Sequence, residues 1–402
     1  MDCAPEYLFR PKQLVIFAGI SGIDKASILD KVKQQIAGAS ASIEQINFEE
    51  VLLRNDRSQD IATFLNRSSA KLKMDAIEAA CVAVGRKLKT PDSHNKTVFL
   101  NMHFTYFYAS NFLLNLANAN LSALTGGIDS IPVRIVTLID DAYVIRHNIE
   151  IRETDYPNTA MRLREIIAWR SLEMSAAETA AKSLSTPERE VANYTVAVRH
   201  PTSTFCNLIF EEEPRCIYLS YPISKTRDNQ QLVNEINKFR QLMHKETEKR
   251  NIVLFDPVTI DERILTIQPD ASSKDGVRID KSKRWPICWA ETAKPFDATV
   301  SIPEYEIKEV KSDIDNQIRA RDFVLIDKAK MIVVYKPFLG GDQKISEGVQ
   351  SEMRYGTDAG KKVVVRDDME TRKTKEEDNP FSGKYPTYGS NEELLEAIDR
   401  AF

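Results

Sequence analysis

The stretch Ser-Glu-Gly-Val-Gln-Ser-Glu, residues 346–352, lies between two strongly apolar segments of the chain. Met-Ile-Val-Val-Tyr at 331–335 comes before it, and Val-Val-Val at 363–365 comes after it. Residues 353–359 are predicted to form a helix, which Gly360 ends. This order of strand, loop, helix and strand predicts one βαβ crossover of a parallel sheet. Ligands of such sheets bind at the carboxyl ends of the strands, where residues 346–352 are predicted to lie.

Three residues of this stretch suit the recognition of a phosphorylated sugar. Ser346 offers a hydroxyl, and Gly348 offers a backbone amide at the start of a helix, whose positive end attracts a phosphate. Glu352, one turn further on, offers a carboxylate that could face the sugar carbon carrying the leaving group. A lone glutamate in the first turn of a helix most often serves the helix dipole, so this position alone does not predict catalysis.

The pattern Ser-x-Gly-x-x-x-Glu after an Ala-x-x-Ile-Val-Val strand resembles the signature of the nucleoside 2-deoxyribosyltransferase family. Within that family it is most similar to the 2′-deoxynucleoside 5′-phosphate N-hydrolase branch. Ile-Tyr-Leu-Ser-Tyr-Pro-Ile-Ser at 217–224 resembles the first strand and substrate loop of the family. Residues 321–323, Arg-Asp-Phe, followed by Ile326 and Ala329, resemble a third family element, although Lys330 stands where that element usually ends in Asp. The resemblance covers about the last half of the chain.

The resemblance implies an enzyme that cleaves the N-glycosidic bond of a nucleotide through a covalent glycosyl intermediate. It implies Glu352 as the nucleophile and Asp322 as a second carboxylate that orients the sugar or moves a proton. The implied substrate-binding residues are the phosphate ligands Ser346 and Gly348 and the sugar and base contacts Tyr221, Ile223 and Ser224. Arg227 could add positive charge to the phosphate site. Neither a cofactor nor a metal ligand is expected.

Length and composition predict an ordinary globular protein of two domains. The chain has 402 residues, of which 42% are hydrophobic, and a formal net charge of −4. This charge does not favour a nucleic-acid partner, since binding usually needs a basic face. No apolar run approaches the ~20 residues of a membrane span, and residues 1–10 lack the apolar core of a signal peptide. Five cysteines without a Cys-x-x-Cys pair predict free thiols in a reducing cytoplasm.

The N-terminal half opens with an apolar strand, 14–18, followed by a loop and a helix. Further predicted strands alternate with helical stretches, which favours a doubly wound α/β domain. The loop has the outline of a P-loop, with four candidate residues: Gly19, Gly22, Lys25 and Ser27. Residues 12–200 resemble adenylate-kinase-like P-loop kinases, with motifs that depart from the family pattern.

Three departures argue against phosphoryl transfer by this half. Asp24 stands where the kinase pattern has glycine, and it adds a side chain and a negative charge where a phosphate would approach. Ala26 replaces the hydroxyl that normally holds magnesium, and Ser27 comes one position late. Asn101 stands where these kinases usually have an acidic residue. The N-terminal half is therefore predicted to be a non-catalytic scaffold or sensor.

The join between the predicted domains is placed at residue 205. Residues 1–205 would form the degenerate P-loop domain, and residues 206–402 would form the deoxyribosyltransferase-like domain. Each is predicted to be α/β, with a mostly parallel sheet and helices on both faces, kinase-like in the first and flavodoxin- or Rossmann-like in the second.

Two segments of the second half are not predicted as part of the sheet. Residues 261–305 form a poorly periodic insertion that contains Trp285 and Trp289. These tryptophans could cover the substrate base, or they could pack against the other domain or another subunit. The second segment, residues 367–390, is charged and is predicted as a surface loop. Separately, a helix is predicted at 313–327.

Functions from different classes remain open at this point. Hydrolysis of a nucleoside 5′-monophosphate leads, and NAD cleavage is a rival, since nicotinamide is also an N-glycosidic leaving group. A non-catalytic nucleotide sensor is a second class, which Lys330 slightly favours, and a nucleotide kinase is a third, which Asp24 and Ala26 oppose. Members of the family that the second half resembles form dimers in which a neighbour completes the active site, so a homo-oligomer is expected.

Overall fold

The chain folds into two α/β units, each built on a mostly parallel sheet flanked by helices. A computed structural model describes residues 10–36, 42–56, 58, 60–67, 69–108, 111–114, 118–126, 131–151, 161–187, 189–267, 277–279, 284–289, 301–337, 346–368 and 384–402. The first unit holds the described residues up to Val198 together with 301–310, and the second unit holds the others. The predicted α/β class with two domains is therefore confirmed.

The first unit contains a five-stranded sheet and a separate hairpin. Its strands are β1 (Gln13–Ala18), β2 (Ile43–Asn47), β3 (Thr97–Asn101), β4 (Thr105–Tyr108), β5 (Asn111–Leu114), β6 (Val133–Ile139) and β7 (Ala192–Ala197). The sheet order is β2-β3-β1-β6-β7, with all neighbours parallel, while β4 and β5 pair antiparallel. Every residue of β1 and β6 is buried, as expected for parallel strands covered on both faces.

Helices connect these strands, and a 3₁₀ turn at Pro91–Ser93 precedes β3. The helices are α1 (Lys25–Gln35), α2 (Phe48–Asp56), α3 (Ile61–Arg67), α4 (Ala70–Lys87), α5 (Asn118–Thr125), α6 (Ala142–Ile151) and α7 (Leu163–Leu184). Their apolar faces pack on the sheet and form a continuous core. Parallel neighbours require such crossover connections, so the alternation seen in the sequence sets the architecture of this unit.

The second unit has its own five-stranded sheet. Its strands are β8 (Arg215–Ser220), β9 (Ile252–Phe255), β12 (Met331–Lys336), β13 (Lys362–Asp367) and β14 (Thr387–Tyr388), and the two-residue strands β10 (Val277–Arg278) and β11 (Ser301–Ile302) come between β9 and β12 in the chain. The sheet order is β14-β13-β12-β8-β9, with parallel neighbours throughout. Counted along the chain this is the order 2-1-3-4-5 of flavodoxin-like sheets, whose ligands bind at the switch point between the first and third strands. That switch point lies between β8 and β12.

Seven helices complete the described chain. They are α8 (Thr202–Phe210), α9 (Ile223–Thr226), α10 (Gln230–Lys249), α11 (Ile264–Ile267), α12 (Glu304–Lys328), α13 (Glu347–Asp358) and α14 (Asn391–Asp399), and a 3₁₀ turn at Pro257–Thr259 follows β9. A Cβ at Gly356 would come within 2.1 Å of Ile332 Cδ1, so this glycine lets α13 lie close against β12. None of the helices in the described ranges is long and apolar enough to cross a lipid bilayer.

Three predicted boundaries differ from the structure. The helix predicted at 313–327 begins earlier, at Glu304, because Ile307 and Val310 continue its buried face at helical spacing. The helix predicted from residue 353 begins at Glu347, since Ser346 caps it. The surface loop predicted at 367–390 is interrupted by β14, an edge strand too short to show an alternating pattern, while 369–383 lie outside the described residues.

Candidate active site

A pocket of about 410 Å³ opens in the second unit where the ends of β8 and β12 meet the start of α13. It contains all eight residues that the sequence assigned to catalysis and substrate binding in this half: Tyr221, Ile223, Ser224, Arg227, Asp322, Ser346, Gly348 and Glu352. They come from three separate segments of the chain, which the strand order brings together at the switch point. The volume lies within the usual range of ligand pockets, roughly 300–1,000 Å³.

The start of α13 forms one wall of this pocket. Ser346 is the N-cap residue, and its Oγ accepts a hydrogen bond from the Val349 amide at 3.4 Å. A Cβ added at Gly348 would meet no atom within 4 Å, so the backbone there faces open space. An exposed helix start with an open approach is a favourable place for a phosphate, because free amides and the helix dipole both attract an anion.

Glu352 and Asp322 form a coupled pair of carboxyls beside this wall. Burial and repulsion by the Asp322 carboxylate raise the pKa of Glu352 to about 8. Burial also raises the pKa of Asp322, although the Arg321 guanidinium opposes this shift. Two neighbouring carboxyls do not easily both ionise. Ionisation of Asp322 therefore disfavours ionisation of Glu352.

Arg321 holds Asp322 in place. Its Nε and Nη2 donate to Asp322 Oδ1 at 3.2 and 3.0 Å. Nη2 also donates to the Pro257 carbonyl at 3.2 Å, and Nη1 donates to the Ile260 carbonyl at 3.3 Å. Both charged side chains are almost fully buried, at 7% and 5% exposed. A guanidinium fixed at four points fixes its carboxylate partner as well, so Asp322 has a defined orientation in the pocket.

Two residues of β8 that the sequence did not single out also face the carboxyl pair. The hydroxyl of Ser220 donates a hydrogen bond to Glu352 Oε2. The Tyr218 hydroxyl lies close enough to lower the pKa of Glu352, yet it makes no well-formed hydrogen bond with a described residue. Residues 218 and 220 share one face of the strand, so the spacing of two could have indicated them once β8 was placed beside α13.

Arg227 lies at the pocket in a bidentate ion pair. Its Nη1 and Nη2 donate to the two carboxylate oxygens of Asp261 at 3.0 and 2.7 Å, and both side chains are buried. The Trp285 amide donates to the same carboxylate. The charge of Arg227 is thus matched within the protein. Arg319, which the sequence analysis did not name, also lines the pocket from an exposed position on α12.

Tyr221 lines the pocket with its ring while its hydroxyl is anchored behind it. That hydroxyl donates to Asp256 Oδ1 at 2.6 Å, and Arg240 and His244 bond the other oxygen of Asp256 at 2.8 and 3.1 Å. Trp285 packs on the Tyr221 ring and is itself 2% exposed, inside the core of the second unit. Trp285 therefore serves the core of its own unit, an arrangement that the sequence analysis did not consider.

His244, Asp256 and Cys288 come close enough to be examined as metal ligands, with one donor atom of each within 4.8 Å of the others. The donor set does not fit a cation well. Both oxygens of Asp256 already accept hydrogen bonds, and one of these donors is the buried guanidinium of Arg240. Burial raises the pKa of the Cys288 thiol to about 12, which disfavours the thiolate that a metal needs. The cluster is a hydrogen-bonded buried ion pair.

Carboxylates of the protein accept hydrogen bonds from two backbone amides of the P-loop-like segment in the first unit. Gly19 and Gly22 have φ values of 142° and 86°, which glycine adopts readily. The Gly19 amide donates to a carboxylate oxygen of Glu173 at 3.1 Å. Asp24 caps α1, and its Oδ1 accepts from the Ser27 amide at 3.2 Å. Amides that would face a phosphate in a kinase are therefore bonded to carboxylates here.

Lys25 is also engaged inside the first unit. Its Nζ donates to the Gly19 carbonyl at 2.8 Å and lies 3.2 Å from His103 Nε2, and the lysine is only 6% exposed. Glu49 lies 3.2 Å from the same histidine nitrogen. The ammonium thus lies within a buried cluster that includes a carboxylate. Ser27, the last of the four P-loop candidates, donates its backbone amide to the Asp24 side chain that caps α1.

Comparison with known proteins adds little to this geometry. No protein-family model matches the chain, and no curated protein matches it. One solved structure that is similar in part belongs to the PezAT chromosomal toxin-antitoxin system of Streptococcus pneumoniae. It shares 11% identity over 46% of this chain and 68% of that one, with a TM-score of 0.29, which is too low to support an argument about function.

Proposed function

We propose that the second unit is an N-glycosidase that hydrolyses a nucleoside 5′-monophosphate to a free base and a sugar phosphate. The observation that carries the proposal is the pair formed by Glu352 and Asp322, two carboxyls with raised pKa values in a pocket at the switch point of a flavodoxin-like sheet. Two carboxyls with different protonation states are what glycosidic cleavage requires: one as nucleophile and one as acid.

In the first step, ionised Glu352 attacks the anomeric carbon of the sugar. The C–O bond to Glu352 forms as the C–N bond to the base breaks, and the bonding electron pair leaves with the base nitrogen. Asp322 in its protonated form supplies the proton that neutralises the departing base. This division of roles requires Glu352 to be ionised while Asp322 is protonated.

In the second step, water attacks the same carbon and releases Glu352. The ester bond to Glu352 breaks, its electron pair returns to the carboxylate, and ionised Asp322 accepts the proton of the attacking water. The site is then restored with one proton on the pair. No cofactor enters either step, since the reaction involves no net oxidation and every proton moves between the carboxyl pair, base and water.

The start of α13 supports the choice of a phosphorylated substrate. Ser346 and the open backbone at Gly348 offer a hydroxyl and amides to a phosphate, and Arg319 brings a positive charge to the same pocket. Tyr221, Ile223 and Ser224 would then contact the sugar and base. Arg227, bound to Asp261, would shape this wall as one half of an ion pair.

The first unit supports a role other than phosphoryl transfer. Glu173 and Asp24 already accept hydrogen bonds from the Gly19 and Ser27 amides of the P-loop-like segment, and Ala26 lacks the hydroxyl that would hold magnesium. We infer that this unit is a non-catalytic scaffold or sensor.

The test is a screen for free base. The full chain is incubated with ribo- and deoxyribonucleoside 5′-monophosphates, with the matching nucleosides and with NAD, and the products are separated by chromatography. Release from at least one monophosphate, faster than from its nucleoside, is the expected result. Release from NAD alone would make NAD the substrate in place of a monophosphate. If no compound releases a base, the second unit is a binding domain and not a glycosidase.

A further inference from the structure

Ser220 is the last residue of β8 and lies directly at the carboxyl pair. Its side chain is 0% exposed, and its hydroxyl donates to Glu352 Oε2 across a separation of 132 residues in the chain. The register of the sheet sets this contact. Ser220 lies opposite Val334, which is near the end of β12, and α13 packs against β12. Glu352 therefore has an uncharged hydrogen-bond donor in the Ser220 hydroxyl.

The two carboxyls have unequal partners. Asp322 Oδ1 accepts two hydrogen bonds from the Arg321 cation, and these favour the ionised form of Asp322. The proposed reaction needs the reverse distribution, with Glu352 ionised and the proton on Asp322. A hydrogen-bond donor to Glu352 favours the ionised form of that carboxyl, and Ser220 is placed to act in this way.

We propose that Ser220 is a positioning residue that favours the ionised form of Glu352. By donating its hydroxyl hydrogen to Glu352, it stabilises the carboxylate that the attack needs and so increases the fraction of molecules ready to react. The catalytic consequence rests on the proposed function, whereas the effect on Glu352 does not.

The other groups around Glu352 define the background against which Ser220 acts. Asp322 and Arg321 face it from α12, and Tyr218 faces it from β8. Repulsion by Asp322 raises the pKa of Glu352, while Ser220, Tyr218 and Arg321 lower it, in decreasing order of effect. The substitution Ser220→Ala removes one oxygen atom and leaves these three groups in place, so it isolates the hydroxyl.

The direct test is a carboxyl titration. The full chain is labelled with ¹³C at the glutamate carboxyl and titrated by NMR, and the Glu352 signal is identified by its absence in Glu352→Gln. Because a hydrogen bond to a charged group favours that charged form, Ser220→Ala is expected to raise the pKa of Glu352 by about one to two units. An unchanged titration in a folded variant, judged by its thermal melt, would overturn the proposal.

Rates of base release provide a second readout with a distinctive pH dependence. At neutral pH, base release by Ser220→Ala is expected to be slower on the order of 10- to 100-fold, because a smaller fraction of Glu352 is then ionised. The difference in rate between Ser220→Ala and the wild type should narrow as the pH rises above the pKa of Glu352, because the Glu352 carboxylate then forms in both. Ser220→Thr keeps the hydroxyl and is expected to restore most of the rate.

A deficit that is the same at every pH, with no rescue by threonine, would mean that Ser220 acts only through packing and would overturn the proposal. If the wild-type chain releases no base from any nucleotide, the proposed function fails. The NMR titration still decides the role of Ser220 in that case, since it needs no turnover.

Discussion

The substitution Glu352→Gln tests the proposed chemistry most directly. Glutamine matches glutamate in size and can still accept the Ser220 hydrogen bond, so the pocket should keep its shape. An amide is a poor nucleophile at carbon, so base release should fall by ~10⁴-fold or more, which corresponds to about 5 kcal/mol of barrier. Binding of a nucleoside 5′-monophosphate, measured by calorimetry, should change little.

The same substitution should alter the dependence of stability on pH. The pKa of Glu352 is raised from 4.5 to about 8, so between these values the folded state holds a proton that the unfolded state has lost. The wild type therefore loses stability as the pH rises through this interval, by up to about 1.4 kcal/mol for each pH unit. Glu352→Gln removes this term, and its melting temperature should fall less between pH 5 and pH 8.

A matched control lies on the same helix. Asp358→Asn makes the same change from carboxyl to amide at an exposed position near the end of α13, and it should leave both base release and the pH dependence near wild type. Near wild-type base release from Glu352→Gln would refute the assignment of the nucleophile. A melting temperature that responds to pH as the wild type does would refute the raised pKa.

Three further predictions concern recognition and the first unit. Ser346→Ala removes one hydrogen bond to a charged group, worth on the order of 1.5–3 kcal/mol, so it should raise KM for monophosphates more than for nucleosides; equal effects would contradict a phosphate at this position. Gly348→Ala places its Cβ in open space, so the melting temperature should hold while binding of monophosphates weakens, and unchanged binding would move the ligand elsewhere. The first unit should not form ADP from ATP and a nucleoside monophosphate, and magnesium-dependent ADP formation that is lost in Lys25→Ala would contradict this.

Much of the candidate site could be predicted from the sequence because local pattern and chain order carry the information. The apolar runs of β12 and β13 enclose a segment that begins with an N-cap serine, and this order requires a parallel crossover. Carboxyl ends of parallel strands meet at one edge of a sheet, so residues after β8 and β12 could be assigned to one pocket. The positions of Ser346, Gly348 and Glu352 follow from these rules alone.

Only the tertiary structure decided how the charges in that pocket are matched. The pairing of Arg227 with Asp261, the two bonds from Arg321 to Asp322, and the contact of Ser220 with Glu352 each depend on which strands and helices become neighbours. Hydrophobic periodicity reports which face of an element is buried, but it does not report what lies opposite. The Ser220 contact joins residues 132 apart in the chain, and its existence depends on the register between β8 and β12.

The same reasoning holds for the first unit. The substitutions at Asp24 and Ala26 are visible in the sequence, and they predict a weakened phosphate site. The Glu173 carboxylate, which accepts a hydrogen bond from the Gly19 amide, lies on α7, 154 residues further along the chain. Its role appears only when α7 is folded back against the sheet, because a hydrogen bond depends on distance and angle in space, and neither is encoded in local periodicity.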